Sequence, residues 1–226
     1  MKEDLLNYMN KRAQRLSTPP LEAGPVVTIS REKGCPANTI ANKLAQKLSE
    51  LDERKSWRWV NRDILQRSAK ELHLNESKIN HILHSEDKGF FRDLILSFGE
   101  HYYQSDVKVK KTIAELITEF AQQGRVIIVG LGGVAIAKNV SKSLHIKLFA
   151  PYKYRLKEVE RHEGMSAEKA REYMEETDVN RKMLIDYFNG IKVEDELFHA
   201  QFNCAILSDD EIVQSIMDMM NLKNIN

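Results

Sequence analysis

Short apolar runs rich in β-branched residues alternate along this chain with longer stretches whose apolar residues recur every three or four positions. The first run, Val26-Val27-Thr28-Ile29, has the length of a buried strand. A polar turn from Ser30 to Cys35 separates it from Pro36, which sits where a first helical residue tolerates proline. Ile40, Leu44, Leu48 and Leu51, with Ala41 and Ala45 beside them, then predict a helix with one apolar face. Trp57 to Val60 reads as a second strand. Helical but irregular sequence continues to about residue 105. It carries Phe90, Phe91, Phe98, Tyr102 and Tyr103, a set suited to a subdomain core or to stacking a base. Val109, Ile113, Leu116, Ile117 and Phe120 mark a long amphipathic helix that Gly124 ends.

Val126-Ile127-Ile128-Val129 is apolar at every position, which predicts a strand covered on both faces and hence a parallel sheet. Leu144 to Phe149 reads as the fourth strand, and Ala150-Pro151 leads into a helix ended by Gly164. Ser166 opens another helix, running to about Asn189. Phe202 to Leu207 reads as the last strand. Ser208-Asp209-Asp210-Glu211 is a capping box ahead of a helix that buries Ile212, Val213, Ile216 and Met220. Strands alternating with helices predict a doubly wound, five-stranded parallel α/β fold. Residues 1–17 read as a further helix, stopped by Thr18-Pro19-Pro20, and residues 1–24 as an extension and linker. That extension is either a homodimer contact or a helix packed on its own domain.

Composition narrows the function classes. The 226 residues carry 34 basic and 33 acidic side chains, so no global basic footprint marks a nucleic-acid partner. The 2 cysteines form no disulfide framework and the 7 histidines lack ligand spacing, so no metal site is expected. The longest uncharged apolar run, Val126 to Ala137, is shorter than the roughly 20 residues a bilayer-crossing helix needs. The amino terminus is charged throughout and is no signal peptide. A cytoplasmic protein without a membrane partner is the expectation.

Candidate chemistry gathers where the first strand meets its helix. Strand, tight turn and helix N-terminus hold phosphate through free backbone N–H groups and the positive end of the helix dipole. The pattern GxxxxGK[ST] is absent: Ala37 fills the lysine slot, followed by Asn38 and Thr39. A second glycine-rich stretch, Gly130-Leu131-Gly132-Gly133-Val134-Ala135, satisfies the dinucleotide pattern G-x-G-x-x-A. That pattern expects an acidic residue about 20 positions on, at the end of the next strand, and Phe149-Ala150-Pro151 offers none.

Several segments in order resemble the cytidylate kinase-like family of nucleoside monophosphate kinases. They are Val27-Thr28-Ile29-Ser30-Arg31-Glu32-Lys33-Gly34 with Ile40 to Ala45, Asn61-Arg62-Asp63-Ile64-Leu65, and Val126 to Gly130. Ala150-Pro151-Tyr152-Lys153-Tyr154-Arg155, Asp178-Val179-Asn180-Arg181 and Phe202-Asn203 follow. The resemblance spans about residues 25–220 and implies a P-loop kinase fold with strand order 2-3-1-4-5. It also implies a helical acceptor-binding insertion over about 61–105 and a lid over about 155–182. The implied reaction moves a phosphoryl group from ATP, with Mg2+, to a nucleoside monophosphate, CMP or dCMP first.

On that resemblance Ser30, Arg31, Lys33, Gly34, Cys35, Ala37, Asn38 and Thr39 line the donor-phosphate site. Arg62, Asp63, Gly130 and Leu131 border the acceptor. Arg31, Arg155, Arg161, Arg171 and Arg181 are the charge-neutralising candidates, with Asp178 orienting Arg181. Guanidinium forks suit such a role, because phosphoryl transfer mostly needs positioning and neutralisation of spread charge. The chain departs from the family at three places. Cys35-Pro36-Ala37 replaces a glycine-rich run, Leu131 stands where the family has arginine, and Asn61 where it has aspartate. These departures imply slow turnover, with Arg31 or Lys33 supplying the missing charge. The alternative is an inactive nucleotide-binding regulatory protein.

Overall fold

A computed structural model describes residues 24–51, 56–61, 107–192 and 194–225. The expected amino-terminal helix, the aromatic set and the acceptor insertion beyond Asn61, including Arg62 and Asp63, lie outside the described residues. Five strands form one sheet: β1 (Val26–Arg31), β2 (Arg58–Val60), β3 (Val126–Val129), β4 (Ser143–Phe149) and β5 (Ala200–Asn203). Their order is β2-β3-β1-β4-β5 and every pairing is parallel. This is the P-loop kinase-type sheet that the alternation of elements and the resemblance predict.

β1 sits at the centre because all its neighbours need an apolar strand they can cover from both sides. Val26, Val27 and Ile29 are fully buried, as are Val126, Ile127 and Ile128 of β3. Alternate residues serve opposite layers, as the two-residue strand period requires. Val27, Ile29, Ile127 and Val129 pack with α1 (Ala37–Leu51) and α6 (Asp209–Leu222). Val26, Val126 and Ile128 pack with α2 (Val107–Gln123) and with Leu184 and Phe188 of α5 (Ala167–Asn189). A single turn, α3 (Gly133–Ile136), follows β3, and α4 (Tyr152–Glu163) follows β4. α4 and α5 share a small core of Val159, Ala170 and Met174.

Element ends follow their local chemistry. Gly124, Gly164 and Gly190 all have positive φ after α2, α4 and α5. Gly124 is also a contact point, since a Cβ there would lie 2.3 Å from the Cα of Gly24. The Ser208 capping box is present, with Ser208 N–H donating to Glu211 Oε2 at 2.8 Å and Glu211 N–H to Ser208 Oγ at 3.3 Å. α1 begins at Ala37, one residue later than expected, and the Pro36 carbonyl accepts from Ile40 N–H at 3.1 Å.

The last strand corrects the sequence reading: it is Ala200–Asn203, not Phe202 to Leu207. Asn203 ends it by folding the chain back. Its side-chain oxygen accepts from Ala205 N–H at 3.0 Å, and its carbonyl from Leu207 N–H at 3.0 Å. Ile206, 78% exposed, lies on that turn.

One polar cluster interrupts the core. His145 Nδ1 shares a hydrogen bond with Thr28 Oγ1 at 2.9 Å, and Nε2 with Ser143 Oγ at 3.2 Å. His145 N–H donates to His199 Nδ1 at 2.9 Å, and the two imidazoles stack 5.0 Å apart. Burial, then the charges of His199 and Lys223, lower the His145 pKa to about 3.

Candidate functional site

A cleft of ≈ 1120 Å³ opens at the carboxyl ends of β1 and β3, with α4 and α5 as its far wall. Its floor is the turn after β1 and the first turn of α1. Glu32 N–H donates to Leu148 O at 3.0 Å, Cys35 N–H to Glu32 O at 3.2 Å and Ala37 N–H to Cys35 O at 2.9 Å. Those bonds shape the turn. Asn38 and Thr39 come next, on the first turn of α1, where helix geometry leaves N–H groups without intrahelical acceptors. Both line the cleft, and Asn38 Oδ1 accepts from Asn61 Nδ2 at 3.2 Å.

Two guanidinium groups reach this floor. Arg31 lies against Gly130 so closely that a Cβ there would sit 1.9 Å from its Nη1. Glycine at 130, with φ of 73°, is therefore what admits Arg31. Arg181, from α5, donates from Nη1 to the Arg31 carbonyl at 3.1 Å. Its Nε is buried and has no partner among the described residues.

Asp178 holds the turn rather than serving Arg181 chiefly. Its Oδ1 accepts from Lys33 N–H at 2.6 Å and its Oδ2 from Arg155 Nη1 at 2.6 Å, whereas Arg181 Nη1 is 3.7 Å away. Arg155 acts as a bracket from behind. It donates to the carbonyls of Ala150 at 3.1 Å and Lys33 at 3.3 Å, and pairs with Glu32 at 3.1 Å. Lys33 points its ammonium at Glu163, 2.6 Å away, with Tyr173 Oη at 3.3 Å. Cys35 packs against the core cluster that contains Cys204, and the neighbouring Cys204 thiol and burial push its titration upward.

The structure thus gathers Ser30, Arg31, Lys33, Gly34, Cys35, Ala37, Asn38, Thr39, Gly130, Leu131 and Arg181 around one cleft. Arg155 and Asp178 support it from behind. Arg161 and Arg171 stand apart from its lining: Arg161 pairs with Glu158 on α4, its side chain 66% exposed, and Arg171 is exposed on α5. The sequence reading passed over an acidic wall of Glu158, Glu163 and Glu176 facing the turn. Nothing in the spacing marked those carboxylates, because helices this charged carry acids on several faces.

The cytidylate kinase-like family model matches residues 26–204, which run from the first residue of β1 to just past β5. The chain belongs to the cytidylate kinase-like family. An uncharacterized protein from Eubacterium ventriosum has a similar fold, with TM-score 0.59 at 15% identity, covering 87% of this chain and 98% of its own. A dephospho-CoA kinase from Campylobacter jejuni aligns with TM-score 0.38 at 13% identity, over 86% and 97%. A Thermus thermophilus protein aligns with TM-score 0.40 at 14% identity, over 87% and 98%. No curated protein matches significantly. Kinase-like function follows from membership of the cytidylate kinase-like family. Among the described residues no helix is long and apolar enough to cross a membrane.

Family members use ATP and Mg2+ in general, and the residues present suit such a pair. Among the described residues no group of three acids, histidines or cysteines could hold a metal alone. Mg2+ in phosphoryl-transfer sites needs little more than nucleotide oxygens, water and one or two protein oxygens. Thr39, on the first turn of α1, is the hydroxyl at the cleft floor.

Proposed function

We propose that this chain is a nucleoside monophosphate kinase that moves a phosphoryl group from ATP to CMP or dCMP, slowly. One observation carries the reading: the N-terminus of α1, Arg31 and Arg181 all converge on one cleft at the carboxyl ends of parallel strands. In open α/β sheets that is where ligands bind, at the point where strand order reverses. The donor phosphates lie over Asn38 and Thr39, where orphan N–H groups and the helix dipole favour anions. Mg2+, held by Thr39 and the phosphates, would neutralise charge on the β and γ oxygens. Arg31 approaches from the β3 side and Arg181 from α5, so the transferring group sits between two planar donors. Both are preorganised by backbone contacts, which is what makes electrostatic stabilisation effective in the transition state. α4 and α5 wall the cleft on its far side, which narrows the approach of water, the competing acceptor.

A second reading has its own support. Ala37 brings no charge, Leu131 is 6% exposed within the apolar core, and the Lys33 ammonium is paired with Glu163. A protein that binds nucleotide without turning it over would tolerate all three. A thermal-shift panel of mono-, di- and triphosphates with magnesium, followed by a coupled ADP-release assay on each monophosphate, separates the two. Turnover with CMP or dCMP that falls about 100- to 1,000-fold in Arg181→Ala supports the kinase. ATP binding without acceptor-dependent turnover supports the binding protein. Turnover indifferent to Arg31→Ala and Arg181→Ala would overturn the role given to both arginines.

A further inference from the structure

Lys33 is pinned along its main chain and held at its tip by different partners. Its N–H donates to Asp178 at 2.6 Å, and its carbonyl accepts from Arg155 Nη1 at 3.3 Å. The next residue, Gly34, lies against the backbone of Arg155. From this fixed point the side chain runs to Glu163, the last residue of α4, and to Tyr173 of α5. Its ammonium lies 2.6 Å from Glu163 Oε1 and donates to Tyr173 Oη at 3.3 Å, 4.5 Å from the centroid of the same ring. Only 18% of the Lys33 side chain is exposed, little for a residue type that usually keeps its charge in water.

Glu163 sits against the grain of its own helix. The carboxyl end of α4 carries the negative end of the helix dipole, which favours cations over carboxylates. A cation beside Glu163 relieves that repulsion, and Lys33 is the cation supplied. Tyr173 adds the negative face of its ring. Lys33, Glu163 and Tyr173 line the same cleft as Arg31, Arg181 and Thr39. Ala37 brings no charge to the first residue of α1, and Lys33 is the lysine of the turn before it.

We propose that Glu163 is an internal competitor of the donor phosphates: it withholds the Lys33 ammonium, which a nucleoside triphosphate must draw away from Glu163 and Tyr173 to bind tightly. The competition rests on the reading of this cleft as a nucleotide-phosphate site; the pairing itself does not. A lysine carries its charge on a flexible four-carbon stem. Rotation of that stem alone moves the ammonium, while Asp178 and Arg155 keep the main chain still. A triphosphate brings several anionic oxygens to the cleft where Glu163 offers one carboxylate, so the exchange favours the ligand once its phosphates are seated over the start of α1. The withheld state shows as weakened affinity, because the competent state is then a fraction of the whole.

The test titrates the full chain by calorimetry with ATP and with inorganic tripolyphosphate, each with magnesium chloride. In parallel, labelling of the Lys33 amine by acetic anhydride is mapped by mass spectrometry. Glu163→Gln should bind both anions about three- to ten-fold tighter than wild type, between the effect of an exposed ion pair and that of a withheld state holding about nine molecules in ten. Lys33→Met should bind both more weakly than wild type, and adding Glu163→Gln to it should bring no gain, since no ammonium is left to release. Glu176 lines the same wall and has no contact with Lys33 among the described residues. Glu176→Gln should therefore change affinity less than about two-fold, as screening of a distant charge allows. Lys33 should label faster in Glu163→Gln than in wild type, with or without ligand.

A gain that persists alongside Lys33→Met, or an equal gain from Glu176→Gln, would overturn the competition in favour of plain repulsion between the wall and the anion. Weaker binding by Glu163→Gln would overturn it too, by making Glu163 the residue that positions Lys33 for the ligand. Unchanged labelling of Lys33 would overturn the pairing. If neither wild type nor any variant binds ATP or tripolyphosphate, the proposed function falls and the competition with it, while the labelling still decides the pairing.

Discussion

Replacing Asp178 by alanine tests how the turn after β1 is held in place. Its carboxylate receives Lys33 N–H and Arg155 Nη1, each at 2.6 Å, and has Arg181 at 3.7 Å. The side chains of Arg155 and Asp178 are 12% and 26% exposed, so this pair lies between two limits. A surface bridge contributes about 0–1 kcal/mol, and breaking a buried one costs about 3–5 kcal/mol. A charged hydrogen bond to the Lys33 backbone falls in the range of about 1.5–3 kcal/mol, though the two contributions share one carboxylate and do not add. Asp178→Ala should therefore cost about 2–3 kcal/mol of stability. Asp178→Asn keeps an acceptor for Lys33 and loses the charge, so about half that cost is expected. Urea titration reads both as a lower midpoint at unchanged slope. Arg171→Ala, on an exposed position of α5, should move stability by less than about 0.5 kcal/mol. A double-mutant cycle with Arg155→Ala should give a coupling of about 1–2 kcal/mol. A cost below about 0.5 kcal/mol for Asp178→Ala, or strict additivity with Arg155→Ala, would refute the bracket.

Two further outcomes follow from the fold. The pKa of His145 is lowered to about 3 in the folded chain, against about 6.5 for an ordinary imidazole. The unfolded chain thus binds the extra proton between those values, and stability is lost as pH falls from about 6.5, by up to about 1.4 kcal/mol per unit. His145→Gln should flatten that slope in urea titrations at stepped pH; an unchanged slope would remove His145 as its source. Gly124→Ala and Gly164→Ala place alanine at similar φ, 69° and 64°, but only Gly124 has a backbone neighbour in the way. Gly164→Ala should cost about 1 kcal/mol, and Gly124→Ala about 1–3 kcal/mol more, measured by thermal or urea unfolding. Equal costs would mean that the Gly24 contact relaxes freely.

The parts of this fold legible in the sequence are those where one residue type answers one local demand. Val126 to Val129 is apolar at every position because both faces of β3 are covered, and the parallel sheet follows. Gly124 and Gly164 end their helices because the left-handed conformation there costs other residues strain. Ser208 and Glu211 cap each other across three residues, so local spacing suffices. The β5 error came from the apolar run Ala205-Ile206-Leu207, which matches a strand by composition while Asn203 turns the backbone out of the sheet. The clamp on Lys33 was illegible for a different reason. Its partner is 145 residues away, whereas the spacing of Asp178 and Arg181 advertises a helical pair. Helix periodicity also cannot say which side of α4 faces the cleft, and so Arg161 and Arg155 look alike in sequence while one is solvated and the other half-buried.

Gly34 gives the turn a mechanical property. A Cβ at this residue would lie 2.7 Å from the Arg155 carbonyl oxygen and 2.9 Å from its Cα, so the turn rests directly on the backbone of the first turn of α4. With no side chain between them to flex, the two surfaces behave as meshed parts. A ligand that draws the turn inward by more than a few tenths of an ångström must tilt the start of α4 with it. The same gearing runs backward: a load applied along α4, by a partner or a neighbouring segment, reaches the floor of the cleft as a displacement rather than as a change of charge.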